Sequence, residues 1–380
     1  MSSSQVPGIV SLTGSEPVEN LPTHCEGLNI LVAMGGGLGD ALIAVGSVAK
    51  YFDGVAMVDA AVMKHQSPVI KQLKGVRNVY QTQAVNNPAF RREYDVYLNF
   101  GRVFNNPKNL HQEDYYKLVG NKAGIGVDVG ELEGFDVEQG NEIFLHPSAS
   151  NPNRRWTEEK WEELAFELRD RGYAVTFLGT KDEFGFSAEG ILKLSDVDED
   201  LLYQVACLSK AKYFIGNDSG FAHCAGLLGV PGAVLFFATR AQDVICRYSS
   251  LTGIEVYDKL GVQANSSLNP RDPICLKCIE SMTPGDVLEA TGFDTPVVEE
   301  GSREKCPEIR LPINLLNEDK CQGLYNHLFK YFDLSGKEDS NITLDVQSSK
   351  IAYVTVGDKV NHLSLDCFEN IPRALREMRN

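Results

Sequence analysis

Leu28-Asn29-Ile30-Leu31-Val32-Ala33-Met34, followed by Gly35-Gly36-Gly37-Leu38-Gly39-Asp40, is the stretch whose reading decides the fold. The first seven residues are nearly all apolar and show no polar alternation. Such a run marks a strand covered on both faces, as in a parallel sheet. Glycines end it, and Ala41–Tyr51 then carries Leu42, Val45 and Ala49 at helical spacing. Val55–Val58 supplies a second strand, completing a strand–glycine turn–helix–strand unit that opens a doubly wound α/β domain. Val76–Tyr80 and Asp95–Phe100 read as later strands of the same sheet.

The alternation restarts beyond Gly130–Gly140 (GELEGFDVEQG), an acidic, glycine-punctuated stretch that reads as an inter-domain linker. Ile143–Leu145 is a strand. Thr157 caps a helix that runs to Arg171 and ends at Gly172, with Lys160 where a complete capping box would carry Glu or Gln. Ala174–Leu178, Tyr213–Gly216 and Ala233–Phe237 read as strands, and Asp198–Ser209 and Phe221–Leu228 as helices. Two Rossmann-like α/β domains are therefore expected, 28–130 and 141–293, with the carboxyl edges of their sheets bounding a cleft. In front of them, residues 1–27 are rich in Ser, Pro, Thr and Glu and read as a loose arm. Behind them, 294–380 forms a C-terminal appendage. Alternation at Asn341–Val346 and Lys350–Val356 suggests an antiparallel hairpin there, and Pro372–Arg379 a closing helix.

A chain of 380 residues has room for two such domains, and 43% apolar with 23% charged residues is the composition of a globular protein rather than a disordered one. No apolar run reaches the length of a membrane span. Residues 1–27 show no basic region followed by an apolar one, so no secretory signal is read and a cytoplasmic location is expected. Nine cysteines in that setting read as free thiols or metal ligands rather than disulfides. The net charge of −16 opposes a nucleic-acid backbone. Between Ala61 and Ile125, however, ten Lys/Arg stand against four acids. That segment is either scattered surface charge or a basic face for an anionic acceptor.

Three clusters carry chemistry. In the first, Gly35-x-Gly37 invites a dinucleotide reading with Asp59 as the ribose acid, but the third glycine position holds Asp40. A carboxylate there repels a pyrophosphate. It suits a general base toward a hydroxyl nucleophile, or else a plain helix cap. The second cluster is His146-Pro147-Ser148-Ala149-Ser150 with Arg154-Arg155-Trp156-Thr157 and Trp161. Its guanidiniums are either a surface pair or a clamp for phosphate oxygens. The third is Gly216-Asn217-Asp218-Ser219-Gly220-Phe221-Ala222-His223, between a strand and an apolar helix. The N–H groups of Ser219 and Gly220 open that helix and offer an anion site, and Asp218 can accept hydrogen bonds from sugar hydroxyls.

Gly36-Gly37-Leu38-Gly39-Asp40 after a buried strand, His146-Pro147 followed by Arg155-Trp156, and Asn217-Asp218-Ser219-Gly220 with His223 resemble the bacterial heptosyltransferases, over roughly Leu28–Gly292. The resemblance implies a two-Rossmann GT-B fold and a metal-independent, inverting transfer. The donor would be ADP-heptose or another nucleotide sugar bound by the C-terminal domain, with a hydroxyl acceptor on the N-terminal one. It places the base at Asp40, beside Gly37 and Gly39 of the acceptor-side loop. It puts Arg155 where the family has a phosphate-holding lysine, and Asp218, Ser219 and Gly220 at donor sugar and phosphate. Glu183, or its neighbour Asp182, falls at the nucleoside. Arg154, Asn217 and His223 are further candidates. The helical segment Cys278–Ala290 resembles the family's closing helix. Residues 294–380 match nothing in the family.

Cys275-x-x-Cys278, with Cys306 and Cys321, could hold zinc or iron as four thiolates, although the second pair lacks the close spacing of common zinc modules. Two rival classes stay open. One is a nicotinamide-dependent oxidoreductase resting on the glycine turn and Asp59. The other is a non-catalytic protein that binds sugar nucleotides. For a transferase the acceptor is a phosphorylated lipid core such as that of lipopolysaccharide or another glycan, a protein, or a nucleic acid carrying a hydroxylated base.

Overall fold

A computed structural model describes residues 26–100, 130–135, 140, 142–183, 191–196, 198–245, 248–265, 269 and 271–294, together with the strand backbones of 309–311, 342–348, 351–356 and 359–365. The arm at 1–25, part of the basic segment (101–125) and the closing helix read at Pro372–Arg379 lie outside the described residues.

Strand β1 (Asn29–Ala33) pairs in parallel with β2 (Met57–Val62) on one side and β4 (Val96–Asn99) on the other. β3 (Val76–Gln81) lies beyond β2, giving the order β3-β2-β1-β4. A central position accounts for the uninterrupted apolar run: Ile30 through Met34 are all buried. Helix α1 (Leu38–Tyr51) is buried continuously from Ala41 to Ala49, so it is covered on every side rather than along one stripe. β2 starts at Met57 rather than Val55. The N–H groups of Val55 and Ala56 both turn back to the Phe52 carbonyl and close the end of α1, so they cannot join the ladder. The acidic stretch after Gly130 begins packed rather than loose, with Leu132 bridging antiparallel to Leu73.

The second sheet is parallel throughout and six-stranded, in the order β10-β9-β8-β5-β6-β7. Its strands are β5 (Glu142–His146), β6 (Ala174–Phe177), β7 (Leu192–Lys193), β8 (Tyr213–Asn217), β9 (Gly232–Phe236) and β10 (Leu251–Glu255). Helices α2 (Glu158–Asp170) and α3 (Leu201–Leu208) serve its first half. Thr157 caps α2 by accepting the Lys160 N–H. The Lys160 ammonium instead reaches the carbonyls of Ile279, Glu280 and Met282 at 2.7–2.9 Å. The segment read as one helix over Cys278–Ala290 is two, α5 (Pro273–Ser281) and α6 (Pro284–Thr291). Pro284 has no N–H to continue α5 and forces Thr283 into extended backbone (φ −111°, ψ 158°).

Helix α4 (Gly220–Leu227) follows β8 in the chain but packs on α1. The described residues accordingly form two compact units. One holds the four-stranded sheet with residues 219–229 and 240–249, the other the six-stranded sheet. In the appended region β12 (Ile342–Ser348) and β13 (Ile351–Val356) pair antiparallel, as their alternation suggests. β14 (Lys359–Leu365) extends them, and β11 (Ile309–Leu311) adds in parallel to β14. Among the described residues no helix is long and apolar enough to cross a membrane.

Candidate functional site

In the first unit the chain leaves β1 through glycines and enters α1 at the N-cap Gly37 (φ −66°, ψ 171°). The Gly37 N–H donates to Asp40 Oδ2 at 2.8 Å, so the half-buried carboxylate closes the first turn of the helix. Gln66, buried, donates from Nε2 to the Gly36 carbonyl (2.9 Å) and so fixes the loop from its other side. A diphosphate approaching these glycine amides would meet the Asp40 charge. Asp59 is equally unsuited to a ribose. It lies within β2, where Arg77 donates to both its oxygens (2.9 and 2.8 Å) and Tyr94 (2.8 Å) and the Asn78 N–H (3.1 Å) also donate. Burial by itself would raise its pKa, and the bonds from Arg77 and Tyr94 outweigh burial and hold the carboxyl below its ordinary value. The nicotinamide reading thereby loses both its supports.

The first turns of α1 and α4 interlock. A Cβ on Gly220 would sit 2.8 Å from Leu38 Cβ, and one on Gly39 would sit 2.4 Å from His223 Cδ2, so only glycine allows the approach at either place. Ser219 is the N-cap of α4 in extended backbone, and its side chain makes no capping bond. His223 is buried with Nδ1 3.1 Å from the Tyr248 hydroxyl.

In the second unit β5 and β8 lie side by side. The chain proceeds from β5 to β6 and β7 on one flank, and from β8 to β9 and β10 on the other. Open α/β sheets bind ligands at such a reversal, outside the carboxyl ends of the two strands. Those ends are His146 and Asn217. Burial pushes the His146 imidazole down to about 4, the Glu183 charge opposes the shift and the Arg155 charge adds to it. Glu183 and Arg155 thus both lie within electrostatic reach of the end of β5. Asn217 is fully buried, donating to the Pro147 carbonyl (2.5 Å) and accepting the Trp156 N–H (3.4 Å). It staples two loops together.

Asp218, the next residue, is buried. Its Oδ2 accepts from Thr239 Oγ1 (2.8 Å) and lies 3.3 Å from Arg154 Nη1. Arg154 Nε is buried without a hydrogen-bond partner. Arg155, by contrast, is exposed and donates from Nε to the Ala149 carbonyl. Of the two guanidiniums, then, Arg154 joins the end of β8 and keeps a donor unsatisfied. Gly179 (φ +139°) opens the loop that carries Asp182 and Glu183. Buried Gln204 accepts its N–H at 2.7 Å and donates to its carbonyl at 2.9 Å. Glu183 Oε2 accepts the Thr180 N–H (2.8 Å), and Asp182 is exposed beside it.

Residues 113–254 match the family model described as Glycosyltransferase family 9 (heptosyltransferase). Solved structures share the chain's fold. The E. coli ADP-heptose lps heptosyltransferase II is 16% identical with a TM-score of 0.51, over 70% of this chain and 98% of that one. The bacterial iron-containing dodecameric glycosyltransferase TibC from enterotoxigenic E. coli H10407 is 14% identical with a TM-score of 0.52, over 71% and 76%. TibC in complex with ADP-D-beta-D-heptose gives 13% and 0.53 over the same shares. No curated protein matches the chain in sequence. The likeness is one of fold: mixed α/β with parallel sheets, as in GT-B heptosyltransferases.

The matched stretch contains His146, Arg154, Arg155, Glu183, Asp218, Ser219, Gly220, His223 and Tyr248, while Asp40 precedes it. Gln66, Gln204, Thr239 and Tyr248 were not singled out by the sequence, because each acts on a partner 21 to 30 residues away with no motif linking the two. Cys275 and Cys278 are buried free thiols on α5. Burial and then Asp272 push the Cys275 thiol up to about 12. Cys306 and Cys321 lie outside the described residues, and among the described residues no group of three or more His, Cys, Asp or Glu could hold a metal ion.

Proposed function

We propose that the glycosyltransferase moves a sugar, heptose or a relative of it, from a nucleoside-diphosphate donor to a hydroxyl of an anionic acceptor, inverting the anomeric carbon without a metal. The observation that carries the reading is the group at the carboxyl end of β8. There a buried carboxylate, Asp218, is held by Arg154 and Thr239 at the reversal point of a doubly wound sheet, one residue before a helix N-terminus. Asp218 accepts from donor-sugar hydroxyls. Arg154, assisted by Arg155 and the N–H groups of Ser219 and Gly220 at the positive end of α4, takes the diphosphate. Glu183 or Asp182 accepts from the nucleoside. TibC, of the same fold, is known in complex with ADP-D-beta-D-heptose, which supports a donor of that class.

The chemistry is a single displacement. Asp40 takes the proton of the acceptor hydroxyl as its oxygen attacks the anomeric carbon. The bond from that carbon to the diphosphate oxygen breaks, and the negative charge gathered there is met by guanidinium and amide dipole rather than by a metal ion. For the acceptor, two of the bases counted in the 61–125 segment are already committed. Arg77 binds Asp59, and Lys74 lies 3.5 Å from Glu131. That reduces the surplus and favours a compact phosphorylated acceptor over a nucleic acid backbone.

Asp40→Asn tests the base. An asparagine oxygen still accepts the Gly37 N–H, so folding is preserved, but it cannot carry the proton. Turnover should fall by about 10²–10⁴-fold, with ADP binding by calorimetry unchanged. Near-normal turnover by Asp40→Asn would remove the base assignment. Failure of a panel of nucleotide sugars to bind or turn over would end the whole reading.

A further inference from the structure

Asn153 stands one residue before Arg154, and its buried side chain reaches a segment 116 to 119 residues further along the chain. Nδ2 donates to the Asn269 carbonyl at 2.8 Å, and Oδ1 accepts the N–H groups of Arg271 (3.0 Å) and Asp272 (3.2 Å). Among the described residues Arg271 is the one non-glycine at positive φ (67°), where its Cβ crowds the backbone and a fixed partner has to hold it. Asp272 in turn caps α5, its Oδ1 accepting the N–H groups of Ile274 (3.0 Å) and Cys275 (3.4 Å). The other end of α5 is tied to the same stretch. Trp156 Nε1 donates to the Met282 carbonyl at 3.2 Å, and the Lys160 ammonium reaches that carbonyl at 2.8 Å. Residues 153–160 and α5 are thus joined at both ends, and Arg154 lies between the ties.

We propose that Asn153 is a positioning residue for the donor diphosphate, holding the turn over Pro152–Arg154 so that the Arg154 guanidinium stands beside Asp218 before any ligand arrives. That guanidinium ends a long side chain whose rotamer freedom opposes a single placement. Its backbone anchor can be fixed, and the anchor is the residue next to Asn153. Asn151 Oδ1 closes the turn from within by accepting the Asn153 N–H (3.0 Å), and the Asn153 amide secures it from outside. The result is Arg154 Nη1 3.3 Å from Asp218 Oδ2, with Nε buried and unpaired. Without the amide the segment around Arg271 leaves the turn, and Arg154 must be ordered afresh each time an anion binds. The loop that carries Glu183 is held separately, by Gln204 at Gly179, so that loss does not reach it.

That the anion is a donor diphosphate rests on the transferase reading, whereas the placement of Arg154 does not, and the experiment separates them. In Asn153→Ala, ADP affinity by calorimetry should fall about tenfold, the contribution of one charge-assisted hydrogen bond. Adenosine, titrated as a competitor of ADP, should bind both proteins alike, which a general loosening of the unit would not allow. In an Arg154→Gln background Asn153→Ala should cost ADP nothing further, because the two residues act as one. Without ligand, Arg154→Gln and Asp218→Asn should be coupled in urea unfolding of the native protein and additive in the Asn153→Ala background. Should Asn153→Ala fold poorly, Asn153→Ala with Arg271→Gly takes its place, since glycine adopts φ 67° without strain. Equal losses for ADP and adenosine, unchanged ADP affinity, a full additional loss in the Arg154→Gln background, or an ion pair still coupled without Asn153 would overturn the proposal. Should the native protein bind neither ADP nor any other nucleoside diphosphate while the ligand-free coupling behaves as stated, the transferase reading fails and the Asn153 assignment stands.

Discussion

His146 offers a test of the second unit that needs no substrate. The imidazole ends β5 inside the protein, and burial lowers it from an ordinary 6.5 to about 4. Above pH 6.5 both the folded and the unfolded chain carry it neutral, and its contribution to stability is fully present. As the pH falls from 6.5 toward 4, the unfolded chain takes up a proton that the folded chain refuses, so stability is lost through that window. At 1.36 kcal/mol per unit the loss totals about 3 kcal/mol. Asp59 acts lower on the scale, because its carboxyl is held below an ordinary 3.8 and its contribution disappears only under that value. The readout is local as well. The chain has two tryptophans, and Trp156 and Trp161 stack edge to face in the second unit, 5.3 Å between ring centroids. Urea titrations followed by tryptophan fluorescence between about pH 7.5 and about pH 4.5 should show the native midpoint falling steadily. His146→Gln, which cannot take up the proton, should flatten that fall whatever it does to the midpoint at neutral pH. Parallel slopes for the two proteins would show that His146 is not held neutral, and the burial argument for this end of β5 would be wrong.

Gly39→Ala sets a Cβ 2.4 Å from the His223 ring, an overpacking that costs about 1–3 kcal/mol against a helix-propensity gain of about 1. Thermal melting should drop by a few degrees and turnover should fall with it, and an unchanged melt would show that the two helices are not locked. Asn217→Leu strands the Trp156 N–H and the Pro147 carbonyl in a buried place, for about 2–5 kcal/mol. Urea unfolding should register the loss in the tryptophan signal, and a variant as stable as the native protein would refute the staple.

Strands buried on both faces could be read directly, since every residue of β1, β5, β8 and β9 must be tolerable inside, and this leaves a run without alternation. Boundaries were harder. Val55 looks like strand until the backbone bonds of Val55 and Ala56 are seen to return to Phe52. The Cys278–Ala290 segment keeps helical spacing on both sides of Pro284, and its apolar pattern outweighed a proline that in fact ends one helix and starts another. The site was legible where its residues are contiguous. Asp40 follows its glycines, and Asp218, Ser219 and Gly220 follow one another at a strand end, where local geometry alone places them together. Helix α4 shows the limit. Chain order assigns it to the second alternation, and only the fit of Leu38 to Gly220 and of His223 to Gly39 reveals that it packs on α1.

The choice between Arg154 and Arg155 lay beyond sequence for a related reason. The two are adjacent, carry the same charge and follow the same strand, so composition and spacing treat them alike. The backbone separates them. Asn151 accepts the Asn153 N–H and sets a tight turn over Pro152–Arg154, after which Arg155 steps into extended backbone (φ −94°, ψ 124°). Successive side chains across such a step diverge, and one guanidinium reaches Asp218 while the other stays exposed against the Ala149 carbonyl. Burial then adds what sequence cannot express. An unsatisfied N–H next to a carboxylate costs about 1–3 kcal/mol while it stays unpaired, and a phosphate oxygen would remove that cost on binding. The position able to gain most from an anion is therefore the one the fold has already desolvated, whichever of two equivalent letters the chain carries there.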